Sequence, residues 1–290
     1  MNKIIDDKGI TCLIIHKGYQ PYLKHNLEIT SKYNNVFLIG DNSVRFLENI
    51  NKNVEFFDID QFQKNEKIEL FRNNFVNYST NSFEFEWFCF ERVLLIESFI
   101  KKFKLENVFH IDSDNVMLTG INDFNFTSGS AYIIPTNQEQ FGMAGSIHAG
   151  LIDLEFCSKF SQLYEDIYIN KSKFNLIENK INYHKSNNIP GGICDMTLYF
   201  LLYEQNLIKP QNLLEPFHDK KSEEYIFMNN YNYSNGYFGN NNFEMKKGKI
   251  RIYRNNLVYD IVNNKKVKIA NIHFQGAGKK YLNRYTKYKF

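Results

Sequence analysis

Short apolar runs alternate with amphipathic stretches along the first part of the chain. Residues 10–15, 35–39 and 54–57 have the length and apolar character of buried strands. Residues 22–33, between the first two runs, have helical spacing, and Pro21 suits the first turn of a helix. A strand, a helix and a strand in this order predict a parallel sheet with right-handed crossovers. The pattern therefore indicates an α/β fold.

The next strong pattern joins a long helix to a strand that ends on two carboxylates. Residues 83–105 form the longest helix candidate and lead into the apolar run 107–111, which ends at Asp112-Ser113-Asp114. Asp112 and Asp114 point to the same side of an extended chain. Two close carboxylates repel unless a cation lies between them, and Mg²⁺ and Mn²⁺ prefer oxygen ligands. An isolated Asp-x-Asp is equally typical of a surface turn.

Two further strands and two helices are predicted in the middle of the chain. The strands cover residues 128–135 and 144–154, and the first helix covers residues 155–170. A Gly-rich segment, 187–194, enters the second helix, and Asp195 stands at its start. A carboxylate at a helix N-terminus serves as a cap, so Asp195 has a structural explanation beside a functional one.

The C-terminal third is rich in Asn and Tyr. Residues 229–242 predict a mobile surface loop, and a long loop in a compact domain is often a lid. The alternating runs 249–253, 258–262 and 267–272 predict a β-meander. The last run leads to His273, within His-x-x-Gly-x-x-Lys. A lone His is more often structural, but this sequel favours a metal ligand.

Composition narrows the class of protein. The chain has 290 residues, of which 43% are hydrophobic and 23% charged, as expected of a soluble globular protein. The net charge of +3 is too small to indicate nucleic-acid binding. No apolar run is long enough to span a bilayer, and the N-terminus has no signal-peptide pattern. The four cysteines lie far apart, which predicts core residues in a reducing compartment and hence a cytoplasmic location.

Two motifs together carry a resemblance to a known family. The apolar strand ending in Asp112-Ser113-Asp114, combined with the segment from His273 to Lys279, resembles glycosyltransferase family 8 of the GT-A fold, whose members end in H-x-x-G-x-x-K-P-W. The order of landmarks is similar from Arg92 to Lys279, roughly two-thirds of the chain. The resemblance implies a Rossmann-like α/β fold with a mainly parallel sheet, in which residues 1–278 form a single GT-A catalytic domain.

The resemblance also implies an activity and a set of site residues. The chain would be a metal-dependent hexosyltransferase that moves a sugar from a nucleotide-diphosphate donor, a UDP-sugar, to a glycan or glycolipid acceptor in surface polysaccharide or lipopolysaccharide synthesis. Asp112, Asp114 and His273 would hold Mn²⁺ or Mg²⁺. Asp195 would be the catalytic carboxylate that holds donor-sugar hydroxyls. The remaining donor-binding residues implied are Arg92, Ser113, Gly150, Gly276 and Lys279.

Some positions depart from the family pattern. His148 stands where the family usually has Asn, Met196 follows Asp195 where Gln is usual, and Lys280-Tyr281 replaces Pro-Trp. We predict retention of the anomeric configuration, with inversion by Asp195 acting as a base as the alternative. Arg92 is ambiguous as well, since its spacing alone predicts a solvated helix residue.

Other classes of protein share parts of the pattern. A haloacid dehalogenase-like phosphatase also places Asp-x-Asp after an apolar strand, but usually near the N-terminus and with Thr where Val116 stands here. A nucleotidyltransferase would need a Gly-rich, Arg-containing loop after the first strand, which Lys17-Gly18-Tyr19 does not supply. A non-catalytic sugar-binding protein would not need Lys279 or the three metal ligands.

Residues 279–290 are predicted to form a basic aromatic tail. Tyr281, Tyr285 and Tyr288 would share one face of a helix, surrounded by Lys and Arg. Basic residues attract anionic lipids and Tyr favours the headgroup level, so the tail predicts a peripheral contact at the inner face of the cell membrane. The alternative is a tail that is solvated or packed on its own domain.

Overall fold

The computed structural model describes residues 9–135, 138, 141–233 and 242–283. In these ranges the α-helices are α1 (Pro21–Thr30), α2 (Asp60–Gln63), α3 (Glu66–Asn74), α4 (Phe83–Phe103), α5 (Leu154–Tyr164), α6 (Asn175–Ser186) and α7 (Asp195–Glu204). The strands are β1 (Cys12–His16), β2 (Val36–Gly40), β3 (Val54–Asp58), β4 (Asn107–Ile111), β5 (Asn115–Met117), β6 (Ala131–Ile133), β7 (Ser146–Asp153), β8 (Gln211–Asn212), β9 (Phe217–His218), β10 (Glu224–Ile226), β11 (Ile252–Tyr253), β12 (Leu257–Asp260), β13 (Lys265–Ile269) and β14 (Asn271–His273).

A large sheet with the strand order β3-β2-β1-β4-β7-β6-β8 forms the centre of the molecule. Strands β1 to β4 are parallel, as the opening pattern predicted. Strand β7 runs antiparallel to both of its neighbours, while β6 and β8 are parallel. The predicted α/β fold with a mainly parallel sheet is confirmed. The carboxyl ends of β1, β2 and β4 lie at one edge of the sheet, where ligands bind in folds of this kind.

Two apolar layers cover the large sheet. On one face, helices α4, α5 and α7 bury aromatic side chains such as Phe90, Phe99 and Phe156. On the other face, α1 contributes Leu23 and Leu27 to a second core. Burying one such side chain stabilises the fold by about 1.5–3 kcal/mol. Because both faces are covered, the strands have continuous apolar runs rather than alternating ones. The helix predicted over residues 155–170 begins as α5 and continues as a π-helical turn, Glu165–Ile169.

The C-terminal strands form a second, small sheet with the order β11-β12-β13-β10-β9. Strand β12 is antiparallel to both β11 and β13, which confirms the predicted meander. The chain then leaves this sheet, because β14 pairs antiparallel with β5, and His273 lies opposite Asn115. This pairing brings the C-terminal motif beside the Asp-x-Asp turn.

The prediction of a surface loop over residues 229–242 is wrong for residues 229–231. Asn229, Asn230 and Tyr231 are buried. The reason is backbone pairing with the C-terminal motif, since the amide of Tyr231 donates to the carbonyl of His273 at 3.0 Å. Residues 234–241 lie outside the described residues.

The first part of the predicted tail packs on the domain. Residues Gly276–Tyr281 form a 3₁₀ helix, and Leu282 is buried in the core of the small sheet. Residues 284–290, including Tyr285 and Tyr288, lie outside the described residues. None of the described helices has the length and apolar character needed to cross a membrane.

Candidate active site

The Asp-x-Asp turn joins β4 to β5 and is held by a buried amide from α1. The Nδ2 of Asn26 donates to the carbonyl oxygens of Ser113 and Asn115, each at 2.9 Å, and is 3.3 Å from that of Asp112. The hydroxyl of Thr30 donates to Oδ1 of Asn26 at 2.7 Å, which fixes the orientation of the amide. These contacts satisfy carbonyl groups that a turn leaves without strand partners. They hold the backbone that carries both carboxylates.

His273 is presented to this turn by β14. The amide of Phe274 donates to the carbonyl of Asp114 at 2.9 Å. The Nδ1 of His273 lies 2.6 Å from the carbonyl oxygen of Asn229, so Nδ1 carries the proton and donates it. The Nε2 atom, 3.5 Å from Oδ1 of Asp114, therefore faces the carboxylates. A carbonyl that fixes the tautomer in this way is the usual support of a metal-binding His.

Asp112, Asp114 and His273 can each present one ligand atom within 4.8 Å of the others. Among the described residues, no other set of three His, Cys, Asp or Glu side chains comes together in this way. Two carboxylate oxygens and one imidazole nitrogen suit Mn²⁺ and Mg²⁺. The arrangement therefore fits the divalent cation that the sequence predicted.

Arg92 joins the Asp-x-Asp turn to the start of α7. Its Nη1 lies 2.5 Å from Oδ1 of Asp112, and its Nη2 donates to Oδ2 of Asp195 at 3.0 Å. The expectation of a solvated Arg is wrong, because α4 packs against the carboxyl end of β4 and buries the guanidinium there. Burial raises the pKa of Asp112, but the charge of Arg92 outweighs it and holds this pKa well below its usual range.

Asp195 is buried, and both of its oxygens accept hydrogen bonds. Its Oδ1 accepts from the amide of Met196 at 2.9 Å. Its Oδ2 accepts from Arg92 and also from the hydroxyl of Tyr199, at 3.0 Å. The carboxylate thus makes a contact with its own helix start, as a cap would, and also joins the cluster around Asp112.

The loop before Asp195 is fixed by two glycines. Gly191 and Gly192 have φ values of +115° and +136°, in a region that other residues rarely adopt. A Cβ on Gly192 would lie 2.0 Å from the carbonyl oxygen of Tyr78. That same carbonyl accepts from the amide of Ile193 at 3.2 Å. The loop therefore depends on glycine to dock beside Tyr78 and to set where α7 begins.

Lys279 lies on the other side of the carboxylate pair from Arg92. Its Nζ is 3.2 Å from Oδ2 of Asp114 and 5.1 Å from the ring centroid of Tyr22. Burial lowers the pKa of Lys279, but Asp114 and Tyr22 together raise it above its ordinary value. A permanent positive charge is therefore held beside the Asp-x-Asp turn, where an anionic ligand could meet it.

The other three residues predicted to bind the donor lie in three different environments. Ser113 is half-buried within the turn, and Gly276 is exposed with a φ of +55°. Gly150 is buried inside the large sheet, where an added Cβ would lie 3.1 Å from the carbonyl oxygen of Ala131. Packing between β6 and β7 alone explains why this position is small. The donor contacts of these three residues stay predictions.

The sequence marked one close neighbour of the candidate metal ligands, His148, only as a departure from the family pattern. The ring of His148 stacks on that of His273, with the centroids 4.1 Å apart and the planes 16° from parallel. The Nδ1 of His148 lies 2.7 Å from Oγ of Ser146, while its buried Nε2 has no partner among the described residues. Its position in β7, across from the end of β4, is the signal that could have placed it near Asp112.

Comparisons with known proteins come from solved structures. No protein-family model matches the sequence, and a search of curated proteins gave no match. Mouse xyloside xylosyltransferase 1 is similar with a TM-score of 0.48 and 11% identity, over 71% of this chain and 85% of that one. The PaToxG glycosyltransferase has a TM-score of 0.40 and 14% identity, over 68% and 70%. A glycosyltransferase involved in glycosylation of the major capsid of PBCV-1 has a TM-score of 0.30 and 14% identity, over 63% and 79%.

Proposed function

We propose that this protein is a metal-dependent glycosyltransferase that moves a sugar from a nucleotide-diphosphate donor to a glycan or glycolipid acceptor. The observation that carries the proposal is the meeting of Asp112, Asp114 and His273 at the carboxyl edge of the large sheet. The two motifs lie far apart in the sequence, and the β5–β14 pairing brings them together. This edge is where open α/β sheets bind their ligands.

The chain's own cations suit a diphosphate leaving group. Asp112, Asp114 and His273 would hold Mn²⁺ or Mg²⁺, which supplies charge that stabilises the departing nucleotide diphosphate. The ammonium of Lys279, beside Asp114, adds a second positive charge to the same group. A haloacid dehalogenase-like phosphatase is the alternative, and it would act on phosphate esters instead.

Asp195 is proposed to orient the donor sugar rather than to act as a base. Its Oδ2 already accepts hydrogen bonds from Arg92 and Tyr199, and it is buried. A carboxylate occupied in this way is poorly suited to take a proton from an acceptor hydroxyl. This supports retention of the anomeric configuration over inversion. An NMR comparison of the product linkage with the donor anomer distinguishes the two outcomes.

The finer features of the proposal rest on the resemblance to glycosyltransferase family 8. They are a UDP-hexose donor, Mn²⁺ as the metal, and an acceptor in surface polysaccharide or lipopolysaccharide synthesis. His-x-x-Gly-x-x-Lys beside an Asp-x-Asp turn supports the donor class.

The proposal is tested with purified protein, Mn²⁺, a panel of nucleotide sugars and a panel of phosphate esters. We expect turnover of a nucleotide sugar that stops in chelator and in Asp114→Asn. Asp60→Asn, which changes an exposed carboxylate on α2, is the control and should leave turnover unchanged. Hydrolysis of phosphate esters without turnover of any nucleotide sugar would support the phosphatase instead. Full turnover in chelator would show that no metal is needed.

A further inference from the structure

The positive charge of the chain is concentrated at one end. Residues 242–283 carry ten Lys or Arg and only two Asp or Glu, a net charge of +8. Because the whole chain has a net charge of +3, the remaining residues are net acidic. Such an imbalance points to an anionic partner for the basic part. Most of these residues belong to the small sheet or to its turns.

The outer face of the small sheet combines Tyr and Lys side chains. Strand pairing places Tyr253 and Tyr259 on β11 and β12 on the same face as Lys266 and Lys268 on β13. The opposite face, which includes Val258 and Val267, is buried in the core. The Nζ of Lys266 lies 4.7 Å from the ring centroid of Tyr253. The outer face is therefore amphipathic, with basic groups above aromatic rings.

Some cations of this region form ion pairs, and others have no carboxylate in contact among the described residues. Lys265 and Lys268 pair with Glu224 and Glu223, and Arg251 pairs with Glu244. Within the described ranges, no carboxylate lies within 4.0 Å of four other cations of this region, which are Lys246, Lys247, Arg254 and Lys266. Cations without a carboxylate in contact among the described residues are available to an external anion.

The turn between β12 and β13 exposes two adjacent aliphatic side chains. Ile261 is 50% exposed and Val262 is 63% exposed. The turn is held by the buried carboxylate of Asp260, whose Oδ1 accepts from the amide of Val262 at 3.0 Å and whose Oδ2 accepts from Nδ2 of Asn263 at 2.7 Å. The aliphatic pair is thus presented on a hydrogen-bonded turn, three residues before Lys265.

We propose that the outer face of the small sheet and the Ile261–Val262 turn dock on an anionic lipid bilayer. Lysines attract the anionic surface, Tyr favours the headgroup level, and the aliphatic pair enters the apolar boundary. A soluble polyanion would be held by the lysines alone and would gain nothing from Ile261 and Val262. The combination of charge with an exposed aliphatic turn therefore favours a membrane over an acidic polymer.

This surface is joined to the candidate metal site by consecutive strands. Strand β13 ends at Ile269, and His273 follows at the end of β14. Docking would therefore hold the candidate metal site near the bilayer. The inference rests on surface charge and exposure, so it does not depend on the proposed sugar transfer.

The test is co-sedimentation of the full chain with two kinds of vesicle. One kind contains phosphatidylcholine alone, and the other contains about 30% phosphatidylglycerol, which makes its surface anionic. We expect binding to the anionic vesicles only. The double variant Lys266→Glu/Lys268→Glu, on the outer face of β13, should bind at least about tenfold more weakly. Its control, Lys32→Glu/Lys64→Glu, reverses two exposed lysines elsewhere and should bind like the wild type.

A second pair of variants tests the aliphatic turn. Ile261→Asn/Val262→Asn should lose the binding that survives high salt, whereas Leu70→Asn/Val76→Asn, at similarly exposed positions, should keep it. Failure of the full chain to sediment with anionic vesicles at low salt would overturn the proposal. Equal binding of the turn variant and the wild type at high salt would also overturn it, because only the lysines would then act. Circular dichroism checks that each variant is folded.

Discussion

The guanidinium of Arg92 lies 2.5 Å from the carboxylate of Asp112, and it also bonds Asp195. A residue in the middle of α4 thus connects the end of β4 with the start of α7. Arg92 is the cation that pairs with Asp112, while Lys279 and His273 lie beside Asp114. The two aspartates of the turn therefore have different partners, which suggests that they have different roles.

Removal of Arg92 should destabilise the fold strongly. In Arg92→Ala, Asp112 and Asp195 would face each other across a buried space without a cation. Breaking a buried pair costs about 3–5 kcal/mol, and the partial exposure of Asp112 reduces the expected loss to about 2–4 kcal/mol. Urea unfolding measures it. The control is Arg72→Ala, which removes an exposed pair with Glu84 and should cost about 1 kcal/mol or less. Equal losses of unfolding free energy in both variants would contradict the view that Arg92 neutralises a buried pair of carboxylates.

His148 should support metal binding through its stacking on His273. In His148→Ala the ring of His273 loses its stacking partner and is held less firmly. We therefore expect the affinity for Mn²⁺ to fall by about tenfold. His148→Phe keeps a flat ring at the same place and should retain most of the affinity. Isothermal titration calorimetry with Mn²⁺ alone measures both. An alanine variant that binds Mn²⁺ as the wild type does would show that the stack has no such role.

Asn26 should contribute more to the free energy of unfolding than an exposed Asn, because it holds the Asp-x-Asp turn. Asn26→Ala leaves buried carbonyl groups without a donor, and the expected loss of unfolding free energy is about 2–3 kcal/mol. Asn74→Ala removes an exposed amide that donates to the carbonyl of Leu70, and should change stability by about 0.5 kcal/mol or less. Denaturant unfolding of both variants checks this, and similar losses would count against the role given to Asn26.

Glu86 should make stability depend on pH. Its Oε1 accepts from Nδ2 of Asn81 at 2.7 Å, and its side chain is buried. Burial raises the pKa of Glu86, and the nearby Asp195 raises it further. Because the folded pKa is raised, its contribution to stability is fully present below the unfolded pKa of about 4.3 and is lost as the pH rises through the folded value.

Glu86→Gln should therefore be more stable than the wild type at pH 8, by on the order of 1 kcal/mol. The difference should shrink as the pH falls towards 4, where both side chains are neutral. Thermal unfolding across this range measures the effect. A difference that is constant with pH would show that the carboxyl does not titrate differently in the folded and unfolded states.

The sequence pattern was sufficient for much of the fold and for the three side chains that come together as candidate metal ligands. The apolar runs around Cys12 and Val36 predicted parallel strands because only strands buried on both faces are apolar throughout. The spacing of Asp112 and Asp114 predicted that both carboxylates lie on one side of the strand. The Gly-x-x-Lys pattern after His273 predicted that this His is a metal ligand. These features are local, so a single sequence displays them.

The features that were missed depend on contacts between distant residues. The reversed direction of β7 has no signal, because a strand buried on both faces reads alike in either direction. Spacing alone predicted a solvated Arg92, and only the family resemblance placed it at the site, since helical spacing does not show that Asp112 and Asp195 converge on it. Asn26 looked like an ordinary helix residue, although it bonds a turn 89 positions away. Such pairings appear only once the elements are packed.

The most direct test of the metal site is nucleotide-diphosphate binding with and without a divalent cation. The ligand is UDP, titrated into the protein in Mn²⁺ or in chelator and followed by calorimetry. If Asp112, Asp114 and His273 hold a cation that meets the diphosphate, UDP should bind in Mn²⁺, and chelator or Asp114→Asn should abolish binding. Asp60→Asn should bind as the wild type does. Equal UDP affinity in Mn²⁺ and in chelator would contradict the account.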